Sequence, residues 1–180
     1  MDNGLIPQRY AKALYKFASE KGETGQMYEL SKVVIKSFQE NPELQKVLAN
    51  PYVSSQDKDA LLVAAAGEHH GDIYGRFIAL LIENKRISYA YQIMMAYRDL
   101  YRKENHISQA RITTATPLEK DLMDKLRKIV ASSFKDSTLE FSEAVNPKLI
   151  GGFIIDVDSV RMDASISNEL EQLRQTLLRS

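Results

Sequence analysis

The feature that most constrains this chain is a change of hydrophobic period just after His106. Before it, apolar residues recur at helical spacing, interrupted at short intervals by Gly and Pro. After it, stretches alternate with period two around one internal helical run. A helical pattern laid out as a strand would turn much of its apolar surface to water. The switch therefore predicts two modules rather than one.

In the first half, Ile6, Tyr10, Ala13, Leu14 and Phe17 form one helix face, with Ala11, Tyr15 and Ala18 as a thinner second stripe. Lys21-Gly22 ends that helix, a cation followed by a residue suited to a left-handed cap. A second helix from about Gly25 carries Leu30, Val34 and Phe38 and closes at Asn41-Pro42. Pro42 opens a short third helix with Leu44, Val47 and Leu48. The segment SSQD, Ser54 to Asp57, predicts a capping box before a fourth helix that Gly67 ends. A fifth helix spans roughly Asp72 to Asn84, and a sixth roughly Ser88 to Lys103. Short connections between these helices predict an N-terminal all-α six-helix bundle over residues 1–105.

Residues 106–180 predict a small α/β domain with a three- to four-stranded sheet and two helices. Ala110, Ile112 and Thr114 alternate with polar neighbours, as in a strand. TPLE, Thr116 to Glu119, predicts a capping box for a helix with the stripe Leu118, Leu122, Leu126, Ile129 and Val130. Leu139, Phe141 and Val145 mark a second strand, Phe153 to Val157 a third, and Val160 to Met162 a short fourth after a turn at Asp158-Ser159. Ile166, Leu170, Leu173 and Leu177 form the seam of a last helix, capped by Asp163 or Ser165. Core packing is the ordinary role of such a seam, and a docking edge the alternative.

Composition narrows the function. Lys plus Arg is 24 and Asp plus Glu is 24, so no bulk charge draws the chain to nucleic acid or acidic lipid. The basic runs, Arg98, Arg102 and Lys103, then Lys120, Lys125, Arg127 and Lys128, are interleaved with acids as on solvated helix faces. With no cysteine, disulfides and thiolate chemistry are out. The N-terminus does not read as a secretory signal, and the longest apolar run, Phe77 to Ile82, is far short of the ~20 residues needed to span a bilayer. No direct membrane insertion is expected.

No catalytic constellation stands out. Glu68, His69, His70 and Asp72 are good ligand types, but without metal-site spacing they read as a solvated connection. Asp156, Asp158 and Asp163 lack a calcium-loop spacing. The pair Gly151-Gly152 precedes a strand rather than a helix, which excludes a phosphate cradle and leaves a bulge or a close backbone approach. No catalytic residue, cofactor or metal is expected. A metal hydrolase at the histidine pair stands as a distant alternative.

Interaction surfaces are the remaining signal. The fifth helix is apolar on every side from Phe77 to Ile82, and the first has two stripes. Together they permit a groove for a partner's amphipathic helix.

The same residues resemble a family, the delta subunit of F-type ATP synthases, whose mitochondrial counterpart is the oligomycin-sensitivity-conferring protein. QRYAKALYKFA (Gln8 to Ala18) resembles its opening helix, ENKRI (Glu83 to Ile87) a helical junction, and QARITTATPL (Gln109 to Leu118) its first strand. NPKLIGGFIIDVDSVRMDASISNELEQLR (Asn146 to Arg174) resembles its C-terminal signature. Lys85 and Ala164 stand where that family commonly has glycine.

The resemblance implies a non-catalytic peripheral-stalk, or stator, subunit. Residues 1–105 would grip the N-terminal helix of an alpha subunit of the catalytic head through a groove between helices one and five. Residues 106–180 would meet the C-terminal ends of the stalk b subunits. The implied place is the cytoplasmic face of a bacterial inner membrane, held there peripherally through the synthase complex. Tyr10, Leu14, Leu80 and Asn84 are the implied groove lining, and Leu170, Leu173 and Leu177 the implied stalk-facing residues. From another class, a two-domain adaptor for nucleic acid or another protein is the alternative.

Overall fold

A computed structural model describes residues 4–67, 71–134 and 137–179 of the chain. Its packing separates two compact units, 1–104 and 105–180.

The first unit is helical among the described residues: α1 Leu5–Lys21, α2 Thr24–Glu40, α3 Glu43–Ala49, α4 Ser55–Ala66, α5 Gly71–Glu83, a 3-10 turn Ile87–Tyr89, and α6 Ala90–Glu104. The stops are local. Gly22 takes a left-handed conformation (φ 71°), and its N–H caps the carbonyls of Ala18 and Ser19. Ser54 caps α4, its Oγ accepting from the Asp57 N–H at 3.1 Å and donating to Asp57 Oδ2 at 2.7 Å. At the end of α5 the left-handed position falls to Lys85 (φ 55°). The Arg86 N–H reaches back to the Leu81 carbonyl and the Lys85 N–H to that of Ile82, which completes the cap without glycine.

The core of this unit joins all its helices. Ile78, Leu81, Ile93, Met94 and Tyr97 are fully buried, and the Tyr97 hydroxyl donates to the Thr24 carbonyl at 3.1 Å. Tyr28 and Tyr101 stack at 4.2 Å between centroids, with Tyr15 beside Tyr101. On α1 the buried line draws on both expected stripes, Leu14 from the main one and Ala11 and Ala18 from the thinner one, while Tyr15 is half-buried. Pro7, Ala11, Leu14 and Ala18 are the buried line, whereas Tyr10 and Phe17 are half-buried and Ala13 is exposed. Small side chains at Ala11 and Ala18 let α6 approach α1 closely, and bulky Tyr10 and Phe17 are left on the flank.

The second unit is a four-stranded sheet with two helices: β1 Ile107–Thr114, α7 Lys120–Ser133, β2 Thr138–Val145, a 3-10 turn Pro147–Leu149, β3 Gly152–Val157, β4 Val160–Ser165 and α8 Ile166–Arg179. Strand order is β2-β1-β3-β4, with β1 parallel to β2 across α7 and the other pairs antiparallel. Ala110 and Ile112 of β1 and Ile155 and Val157 of β3 pack with Met123, Leu126 and Val130 of α7.

Two expectations here are corrected. TPLE is no capping box: α7 begins at Lys120, Glu119 at its N-cap makes no side-chain cap bond, and the Thr116 carbonyl instead accepts from Thr114 Oγ1 at 2.8 Å. Starting later, α7 buries Met123, Leu126 and Val130 and leaves Leu122 and Ile129 exposed. The fourth strand also runs on to Ser165, because β3 and β4 pair from Val157↔Val160 to Gly152↔Ser165.

Candidate functional site

The helical unit carries an open groove of about 220 Å³ between α1 and α5. Each wall follows from helical period. Tyr10, Leu14 and Phe17 of α1 sit at i, i+4 and i+7, as do Ile73, Phe77 and Leu80 of α5, so each set lines one edge. The lining is apolar apart from Arg76, whose guanidinium is held by Asp72 one turn earlier at 2.8 Å. Leu80 is 42% exposed, a large aliphatic side chain facing open space on a helix whose Ile78 and Leu81 are wholly buried. A groove with aromatic and aliphatic walls and few polar atoms can take the apolar face of another helix; it offers no acid, base or nucleophile to a reaction.

Tyr10, Leu14 and Leu80 are thus brought together. Asn84 is not in the lining: at the end of α5 its Nδ2 donates to the Leu80 carbonyl at 2.9 Å and caps its own helix. Phe17, Ile73 and Phe77 complete the walls, and the 10/14/17 and 73/77/80 spacings in the sequence were the signal for them.

Leu170, Leu173 and Leu177 lie on α8, and the core role of their seam is overturned. They are 52%, 61% and 77% exposed, and α8 buries none of its described residues. Ser165 anchors the helix, its Oγ accepting from the Asn168 N–H at 3.2 Å. Asp163 in turn accepts from the Ser165 N–H at 3.0 Å and hydroxyl at 2.6 Å. These two bonds, the hydroxyl's first, hold the Asp163 carboxyl below its ordinary value of 3.8. Beyond that cap, α8 carries an exposed apolar stripe that no described element covers.

The glycine pair is resolved by its neighbours. Gly152 adopts φ +74°, and a Cβ there would collide with the backbone of β4; one on Gly151 would lie 2.5 Å from Ile166 Cδ1. Both are close approaches, and neither is a ligand loop.

Glu68, His69 and His70 lie outside the described residues. Among the described residues no cluster of His, Cys, Asp or Glu could hold a metal ion. Asp156 pairs with Arg161 across the β3–β4 hairpin at 3.5 Å, and Asp158 Oδ1, in the hairpin turn, accepts from the Gln109 N–H of the neighbouring β1 at 3.0 Å. No described helix is long and apolar enough to cross a membrane.

The comparisons with known proteins agree over almost the entire chain. The family model of the ATP synthase delta (OSCP) subunit matches residues 6–177. The chain is 40% identical over 182 residues to the ATP synthase subunit delta of Parabacteroides distasonis, covering 99% of this chain and 98% of that protein. It is 36% identical over 176 residues to the protein of the same name from Phocaeicola vulgatus, covering 97% and 95%. In fold it resembles a chain of the mitochondrial ATP synthase hexamer of Toxoplasma gondii, with a TM-score of 0.70, 21% identity and coverage of 96% and 97%. The chain belongs to the ATP synthase delta (OSCP) subunit family.

Proposed function

We propose that this chain is the stator joint of a proton-translocating F-type ATP synthase. Its six helices would act as one bundle that seats the N-terminal helix of an alpha subunit in the α1/α5 groove. Its α/β unit would meet the C-terminal ends of the peripheral-stalk b subunits along α8. The complex would hold it peripherally at the cytoplasmic face of a bacterial inner membrane. The observation that carries this reading is the apolar groove with Leu80 exposed at its edge, in a chain of this family.

The role is mechanical and non-catalytic. Unless the catalytic head is held, the central rotor drags it round and torque does no work on nucleotide binding. Two helix contacts in series can resist that torque by burying apolar area, each Å² contributing ~25 cal/mol before association costs. The test is titration of the full chain with the N-terminal peptide of the matching alpha subunit. Binding at tens of micromolar or tighter is expected, and Leu80→Asp should weaken it at least about tenfold, since it places a charge against an apolar face. No binding, or an unchanged affinity in a folded variant, would refute the reading.

A further inference from the structure

We propose that a second groove, between α1 and α6, docks an acidic amphipathic helix. It encloses about 620 Å³, against about 220 Å³ for the α1/α5 groove, and the two share α1 as a wall. This inference rests on the α1/α6 groove alone.

The floor is small and apolar. Pro7, Ala11 and Ala96 leave space, and Met95 and Leu100 form the sides. Met95, with its flexible thioether, can repack around a guest. Gln92 also lines the groove, and its Oε1 is buried with no hydrogen-bond partner among the described residues. Such an acceptor is costly to leave unmet, and a rotation of the Gln92 amide towards the groove would bring it within reach of a donor on the occupant.

The rim supplies the sign of the partner. Lys12 on α1 and Lys103 on α6 are exposed on opposite walls, and among the described residues no ion pair holds either ammonium. The one carboxylate in the lining, Asp99, is engaged by Arg98 at 2.9 Å and by Arg102 at 3.9 Å. Two free cations astride an apolar floor fit a helix whose apolar face is flanked by Glu or Asp. The walls run from Gly4 to Lys12 and from Gln92 to Lys103. At 1.5 Å per residue these are roughly 12 to 16 Å, room for two to three helical turns.

The test titrates the full chain, observed by NMR, with a synthetic leucine-faced helix flanked by glutamates, and with a twin in which lysines replace the glutamates. The acidic peptide should bind at up to hundreds of micromolar and shift the Met95 methyl and the Gln92 side-chain amide. The double variant Lys12→Glu/Lys103→Glu, at two exposed positions, should weaken it about tenfold with an unchanged melting curve, and Leu80→Asp should leave it unaltered. Failure of the alpha-subunit peptide would touch only the α1/α5 groove, so the two readings fail separately. Equal binding of the lysine twin, shifts confined to Tyr10, Leu14 and Leu80, preference for anionic phospholipid vesicles, or no binding by either peptide would each overturn the proposal.

Discussion

Gly152 lies against the carbonyl of Ala164 so closely that no side chain fits between β3 and β4 at that point, and its φ of +74° is one that L residues rarely adopt. Both constraints come from backbone, which cannot yield as a side-chain tip can. Gly152→Ala should therefore cost the α/β unit roughly 2–4 kcal/mol in denaturant unfolding. Gly151→Ala meets only the end of Ile166, so its cost should be below about 1.5 kcal/mol, and adding Ile166→Val should recover part of it.

Lys85 occupies a left-handed position at the end of α5 and is exposed. Lys85→Gly should raise the stability of the helical unit by about 0.5–1 kcal/mol, because the strain of the left-handed conformation exceeds the added freedom of the unfolded chain. Thermal unfolding checks it, as an upward shift of a few degrees.

Tyr97 is buried, and burial pushes its phenol well above the ordinary tyrosine value. Its hydroxyl bonds the Thr24 carbonyl at the start of α2. Tyr97→Phe keeps the packing and removes the hydroxyl's bond, while that carbonyl keeps its place in the helical ladder of α2, so a loss of about 1 kcal/mol is expected in chemical denaturation.

The α8 cap should respond to acid. Asp163 is held below its ordinary 3.8 by its bonds from Ser165, so it favours the folded state fully above that value. The contribution fades as pH falls from 3.8 through the lower folded value. The Ser165 amide shift should follow this transition, and Asp163→Asn should abolish it without altering the sheet.

Leu173→Gln on α8 should leave the melting temperature within error, because that side chain is already largely in water. Leu126→Ala, in the core of the same unit, should cost about 2–4 kcal/mol. Loss of binding to a stalk b-subunit peptide by the first variant, with folding intact, would separate docking from core.

Much was legible in the sequence because it is decided locally. The stop at Gly22, the cap at Ser54 and the burial of Ala110, Ile112 and Thr114 depend on a few neighbouring residues and on one period. The walls of the α1/α5 groove were legible for the same reason, since Tyr10, Leu14 and Leu80 fall on single helix faces.

What only the tertiary structure decided is which apolar surface finds a cover. On α1 two stripes competed, and the buried line took Ala11 and Ala18 from one and Leu14 from the other, because α6 packs closely against small side chains. On α8 the leucine seam has the period of a core helix, yet no described element covers it. A sequence states that a surface is apolar. Whether it becomes core, groove or open face depends on the size and position of what lies opposite, and that is set by chain segments far away in sequence.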